Sequence, residues 1–291
     1  MSVLAQVDDW PVPTVAVAVV ASDGGVVDHQ GDTTAAFRLA SISKLLAAYA
    51  VLIAVEEEAV GLDDPAGPPA VRDQGATIRH LLAHTSGLGF DPGDPILSRP
   101  GERRIYSNAG IEAAAEHLAT ETGIPFETYL HEAVFTPLGM SGAQLLGSPA
   151  HAVHAGVDDL VRFAAELFAP KLLAPQTLAE AITVQFPGVN GVVPGVGRFD
   201  PCDWGYGFER NFSRRTASGG PHWAGSRVSS GTIGHFGGAG TFFWLDPVAG
   251  IACICLTDRP FDAWALELWP PFSDVVIETF GRPSSVVGAT T

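Results

Sequence analysis

The 291-residue sequence predicts a mixed α/β (α+β) protein: an antiparallel sheet made by its N- and C-terminal segments, flanked by helices, with a mainly helical lobe inserted between them. Three observations lead there. Apolar, strand-like runs lie near both ends, at residues 14–21 and 241–257. Helical patterns fill the middle, from 41 to 184. A composition with 46% apolar and only 16% charged residues supplies a large core. The expected organisation is one unit, 1–291: a sheet lobe from 1–40 and 230–291, and a helical lobe at 41–229 that is loop-rich at 187–229. A site is expected at the seam between the lobes.

In chain order, residues 14–21 are rich in Val and Ala and read as a strand. The Ser22-Asp23-Gly24-Gly25 turn lets 26–29 return as a second strand. Residues 41–60 read as a long helix, stopped at Gly61 and apolar nearly all round, hence central. Shorter helices follow at 77–83, 109–121, 126–134, 158–168 and 176–184. From 187 to 240 Gly, Pro, Asp and Ser dominate and periodicity fades, the texture of loops or short strands around a binding region. Strands return at 241–245 and 250–257, with Asp246-Pro247 in the turn. Two short helices are expected at 262–269 and 274–280, then a frayed end. No internal repeat is present.

Thirty-two acids face sixteen bases, a formal net charge of −16. Such a chain repels nucleic acid and anionic lipid surfaces, so neither is an expected partner. It also slows strongly anionic substrates unless a local patch reverses the sign. Three cysteines without framework spacing point to a reducing compartment and no disulfide scaffold. The first ten residues are acidic and do not read as a secretory signal, and 14–21 is too short to span a bilayer. A cytoplasmic protein is expected. The sequence carries no reading of oligomeric state.

The chemistry sits in three motifs. The first is Ser41-Ile42-Ser43-Lys44 at the start of the long helix. A serine hydroxyl needs a base within reach, and three residues on a helix put Ser41 and Lys44 on one face. A buried lysine loses basicity and accepts a proton near neutral pH, which an arginine cannot do. The helix N-terminus offers amide N–H groups to an oxyanion. Seventeen serines and only two lysines, Lys44 and Lys171, give about 0.1 chance occurrences of this spacing. The second motif is Tyr106-Ser107-Asn108. Tyr106, one of four tyrosines, is placed to relay a proton, and the Asn108 amide to bond both a substrate carbonyl and the lysine. The third is the run Gly234-His235-Phe236-Gly237-Gly238-Ala239-Gly240 before a strand, where a free N–H near Gly238 would complete an oxyanion hole with the Ser41 N–H.

Ser-x-x-Lys, then Tyr-x-Asn, then His-x-Gly, with strands outside and helices inside, resembles the serine β-lactamase and penicillin-binding-protein superfamily. The nearest branch is the class C-like one, with esterase and DD-peptidase members. Phe37-Arg38-Leu39-Ala40, the stretch 78–87, Pro137-Leu138-Gly139-Met140 and Trp204-Gly205-Tyr206-Gly207 add to the likeness, which runs from about residue 11 to 280. The resemblance implies a β-lactamase/transpeptidase-like fold. It implies Ser41 as acylated nucleophile, Lys44 as its proton-transfer partner and Tyr106 as general base or acid. Asn108, His235, Gly237 and Gly238 would bind substrate. Whether Lys44 or Tyr106 takes the first proton stays open.

Where many relatives have Lys-Thr-Gly, this chain has His235-Phe236-Gly237. A neutral imidazole grips a substrate carboxylate less well than an ammonium. That favours a small-molecule ester or amide substrate: a carboxylesterase first, a β-lactamase or D-amino-acid (DD-) peptidase second, and from another class a catalytically silent binding protein. No metal or organic cofactor is implied. His80 and His84 have the spacing of two metal ligands, but Leu81, Leu82 and Ala83 lie between them with no glutamate. No Gly-x-Ser-x-Gly elbow occurs, and Glu56, Glu57 and Glu58 read as a solvated helix end. Trp204, Tyr206, Phe208 and Trp223, within the 187–230 loops, read either as an aromatic wall of the acyl pocket or as ordinary core.

Overall fold

The computed structural model describes residues 2–210 and 222–282. The expected frayed end and residues 211–221 of the loop-rich region lie outside the described residues. The strands are β1 (Val15–Ala21), β2 (Val26–Gln30), β3 (Phe37–Arg38), β4 (Arg104–Ile105), β5 (Gln144–Leu145), β6 (Val153–Ala155), β7 (Gly191–Val193), β8 (Gly197–Phe199), β9 (Ile233–Gly237), β10 (Thr241–Asp246) and β11 (Ile251–Thr257). The helices are α1 (Ser43–Glu56), α2 (Pro69–Arg72), α3 (Ile78–Leu82), α4 (Asn108–Thr122), α5 (Phe126–Leu130), α6 (Thr136–Leu138), α7 (Val157–Phe168), α8 (Pro175–Ala181) and α9 (Ala263–Phe280).

The main sheet has five strands in the order β2-β1-β11-β10-β9, every pair antiparallel. Val15 pairs with Thr257 and Ala21 with Ile251, so the two ends of the chain zip together. Side chains alternate between two cores. Ala16, Ala18 and Val20 of β1 and Ala252, Ile254 and Leu256 of β11 face the helical core around α1 and α7. Val17, Val19, Cys253 and Cys255 face a second core closed by α9. Because both faces are covered, these strands are continuous apolar runs rather than alternating ones.

Helix α1 is buried from Ser43 to Ala54, as its all-round apolarity requires. It ends at Glu56, earlier than the expected Gly61 stop. Glu58 takes the left-handed turn (φ 58°), and the Ala59 N–H returns to the Ala54 carbonyl at 2.9 Å. That early turn brings Val60 back into the core. The two short helices expected at the C-terminus are one helix, α9, with Pro270 and Pro271 inside it. An internal proline costs a helix about 3 kcal/mol. Burial of Trp264, Trp269, Phe272 and Val276 against the sheet offsets that cost, at about 1.5–3 kcal/mol per large apolar side chain.

The loop-rich region is partly ordered into short strands. β7 pairs parallel with β4 and antiparallel with β8, and β9 forms the edge of the main sheet. Trp204, Tyr206, Phe208 and Trp223 are at most 1% exposed and belong to the two cores, so of the two readings they take the core one. Among the described residues, no helix is long and apolar enough to cross a membrane.

Candidate active site

Ser41 lies in a 3-10 turn, Ala40–Ile42, that leads into α1, not in the helix itself. The residue before it, Ala40, is forced to φ 47°, a left-handed value that a non-glycine residue adopts at some cost. Two contacts hold the turn. The Thr241 hydroxyl donates to the Leu39 carbonyl at 2.9 Å, and the Leu39 N–H to the Val153 carbonyl at 2.9 Å. The first ties Ser41 to β10, the second to β6.

Lys44, one turn on, is fully buried. Its Nζ lies 2.7 Å from Asn108 Oδ1, 2.8 Å from the Ala150 carbonyl and 3.2 Å from Ser41 Oγ. Burial pulls its pKa down to about 7, against the pull of the Glu112 and Asp91 charges. The sequence spacing anticipates Ser41 and Lys44 on one face, and the structure puts their side chains in contact.

Tyr106 and Asn108 arrive together because β4 runs into α4. Between them Ser107 caps the helix, its Oγ accepting from the Gly110 N–H at 2.9 Å. Asn108 thus sits at the first helical position. Its Oδ1 accepts from Lys44, and its Nδ2 donates to Asp91 Oδ1 at 2.8 Å. Tyr106 is packed between the rings of His84 and Trp204, with centroids 4.7 and 5.8 Å away, and Lys44 Nζ lies 4.7 Å from its own ring centroid. Burial raises the Tyr106 pKa; a hydrogen bond with the Ser41 hydroxyl opposes the rise, and the Glu209 charge adds to it. The phenol stays protonated at neutral pH.

The third motif differs from its expected placement. His235 does not face an open site: it is 1% exposed, and both ring nitrogens are taken. Nε2 lies 2.6 Å from the Tyr106 hydroxyl and Nδ1 3.0 Å from Glu209 Oε2. Register explains this, since His235 pairs with Phe243 at the middle of β9, behind Tyr106. Burial lowers the His235 pKa against the pull of Glu209, leaving a neutral ring. Gly237 is equally enclosed; a Cβ there would collide with the Leu39 carbonyl and the Thr241 hydroxyl. Gly238 is the exposed member. Nothing stands within 4 Å of where its Cβ would be, and it borders a cavity of about 410 Å³ with Phe37, Arg38 and Ala239.

Sequence reasoning missed Glu209. It is buried and accepts from His235, from His222 at 3.0 Å and from the Trp223 indole at 3.2 Å. Burial would raise its pKa, but the two histidines outweigh burial and hold it at about 2. The result is a buried chain, Tyr106–His235–Glu209, ending in a carboxylate. Its only signal was position, two residues after the quoted stretch Trp204–Gly207. The contribution of the Ala150 carbonyl carried no signal, because backbone groups leave none. His80 and His84 do not act as a pair: the Nδ1 atoms accept from the Thr77 and Ser107 N–H groups, each at 3.2 Å. Cys202, Cys253 and Cys255 are buried free thiols.

Comparison with known proteins identifies the family. A family model described as Beta-lactamase matches residues 5–271. A solved structure from Mycobacterium bovis, described as a beta-lactamase, is 47% identical, with a TM-score of 0.90 over 97% of this chain and 100% of its own. Esterase EstB of Burkholderia gladioli is 24% identical over 90% of each chain. Penicillin-binding protein 4* of Bacillus subtilis is 29% identical over 136 residues, 38% of this chain and 30% of that relative's length. Matched along 5–271 and folded like a solved relative at 47% identity, the chain belongs to the Beta-lactamase family of serine hydrolases.

Proposed function

We propose that the protein is a cytoplasmic carboxylesterase acting on small esters through an acyl-enzyme on Ser41. The observation that carries this reading is the fully buried Lys44, held at a pKa of about 7 with its Nζ 3.2 Å from Ser41 Oγ. A neutral lysine has two N–H bonds and one lone pair. The two shorter contacts, to Asn108 Oδ1 and the Ala150 carbonyl, take the N–H bonds. The lone pair is then left to Ser41, whose O–H turns to it from the Tyr106 oxygen.

As Ser41 Oγ bonds to the carbonyl carbon, its proton passes to Lys44 Nζ. The carbonyl electrons move to an oxyanion held by the Ser41 and Gly238 amides. The tetrahedral intermediate collapses, the carbon–oxygen bond to the alcohol breaks, and the alkoxide takes the Tyr106 proton while Tyr106 takes that of Lys44. Water then repeats the sequence on the acyl-enzyme and frees the acid. Asn108 acts chiefly on Lys44, which it orients. His235 supports Tyr106 from behind: in the resting site its Nε2 accepts a hydrogen bond from the phenol, which the hydroxyl leaves when it protonates the alkoxide, and Glu209 fixes the tautomer by accepting from Nδ1.

An ester is favoured over a β-lactam because β9 offers no cation for a substrate carboxylate. His235, at the place of the ammonium in many relatives, is neutral and turned toward Glu209. Three buried free thiols fit a reducing compartment.

Two outcomes follow. With p-nitrophenyl acetate, kcat/KM should rise with pH and reach half its plateau near pH 7, because burial has lowered the Lys44 pKa and only the neutral amine accepts the proton. A profile flat from pH 6 to 9 contradicts Lys44 as the titrating base. Glu209→Gln should lower kcat by about 10²-fold with KM little changed, since the amide lets the His235 tautomer reverse. Unchanged kcat in that variant, with a wild-type pH profile, removes Glu209 from the site's support.

A further inference from the structure

Two arginines without acidic partners among the described residues stand beside Tyr106 in a chain whose formal net charge is −16. They belong to a cavity of about 230 Å³ bordered by Leu97, Arg103, Ile105, Tyr106, Val192 and Arg198. Strand register accounts for the grouping. Ile105 lies opposite Val192 and Val192 opposite Arg198, so these three share one face of the small β4-β7-β8 sheet. The next residue back, Arg104, points inward and is saturated by the carbonyls of Ala83, Cys202 and Gln185. Arg103 and Arg198 are exposed, and among the described residues neither guanidinium has an ion-pair or hydrogen-bond partner. The neighbouring Glu102 is occupied with the Arg99 N–H at 3.2 Å.

The face is also apolar. Leu97 and Val192 are 54% and 51% exposed, and Phe90, 44% exposed, has its ring centroid 6.0 Å from that of Tyr106. With Ile96, four of the eight exposed large apolar side chains among the described residues lie on the two segments that flank Tyr106. Scattered surface apolar residues need no explanation, but a cluster rimmed by unpaired cations next to a catalytic tyrosine does.

We propose that this face is a substrate subsite for a short apolar chain ending in a carboxylate, so that the preferred ester carries a negative charge several carbons from its reacting carbonyl. The inference rests on the esterase reading and names its substrate class. The apolar stem lies along Leu97, Ile105 and Val192, and the carboxylate meets the Arg103 and Arg198 forks. A cavity of about 230 Å³ is smaller than the ~300–1,000 Å³ typical of drug-sized ligands, which sets the chain as short. In an acidic protein this patch supplies the local sign reversal that an anionic substrate needs for approach. It also places the anion on the β7 side, away from β9, which carries no Lys or Arg of its own.

The test compares matched anionic and neutral esters. One pair carries the charge on the acyl half, p-nitrophenyl hydrogen adipate against p-nitrophenyl hexanoate. The other carries it on the alcohol half, 6-acetoxyhexanoate against hexyl acetate. In at least one pair, wild-type kcat/KM should favour the anionic member. Arg103→Gln/Arg198→Gln should cut that preference about fivefold, the size of two partly exposed charge contacts, and leave the neutral member within about twofold. The preference should also shrink as salt is raised, because the contacts are solvent-accessible. Neutral esters turned over normally with no anionic preference in either pair, or a preference untouched by the double variant, overturns the subsite while leaving the esterase standing. No turnover of any of the four esters by folded wild-type protein overturns the esterase reading and the subsite with it.

Discussion

Ser41→Ala is expected to lower ester turnover by about 10⁴- to 10⁶-fold, because residues that act as one nucleophilic unit fail together when one is removed. The fold should survive. Ser41 is only partly buried, and its loss takes one contact from Lys44 while Asn108 Oδ1 and the Ala150 carbonyl remain at 2.7 and 2.8 Å. The stability change should stay within about 1 kcal/mol, the net worth of one hydrogen bond. Circular dichroism and thermal melting check the fold, and p-nitrophenol release checks the activity. Wild-type-like turnover in this variant removes Ser41 from the mechanism.

Lys44→Arg should be nearly as damaging, at about 10⁴-fold or more in kcat/KM. Arginine keeps the positive charge but never gives up its proton near neutral pH, so it cannot take one from Ser41. Its planar head is also larger than the ammonium, and the site is fully buried with oxygens placed at 2.7, 2.8 and 3.2 Å around a single nitrogen. A second variant separates chemistry from misfit. Lys44→Met fills a similar volume without a basic nitrogen, and it should be equally inactive while keeping a cooperative melt. Undiminished activity in either variant rules out Lys44 as the base.

The parts of the fold legible in the sequence were those with strong local physics. The end segments read as strands because both faces of the sheet are covered, which leaves uninterrupted apolar runs such as Val15–Ala21 and Ile251–Thr257. Helix α1 read as central because it has no polar face. Strands of two or three residues, such as β4 and β7, carry no period and were invisible. Yet that pairing orders the segment in front of Tyr106. The prolines at 270 and 271 misdirected the C-terminal reading, since the loss of local helix bonds was outweighed by tertiary burial of Trp264, Trp269 and Phe272.

At the site, the motifs named residues that the fold does bring together: Lys44 meets Ser41 and Asn108, and Tyr106 meets Ser41. What spacing could not convey was direction. His235 was expected beside a substrate and instead supports Tyr106, because the register of β9 against β10 turns it inward. Glu209 reaches His235 across 26 residues, a contact made only by tertiary packing. Trp204 and Trp223 were ambiguous for a similar reason: a pocket wall and a core share the same composition, and burial alone separates them.

The acyl-enzyme on Ser41 is tested most directly by intact-protein mass after exposure to a fluorophosphonate, a p-nitrophenyl ester and a penicillin, with Ser41→Ala alongside. A single fluorophosphonate adduct is expected on the wild type, none on the variant, and fast ester turnover with slow or no turnover of the penicillin. Folded wild-type protein that takes no adduct from any of the three reagents contradicts the acyl-enzyme, and leaves a catalytically silent binding protein on this fold.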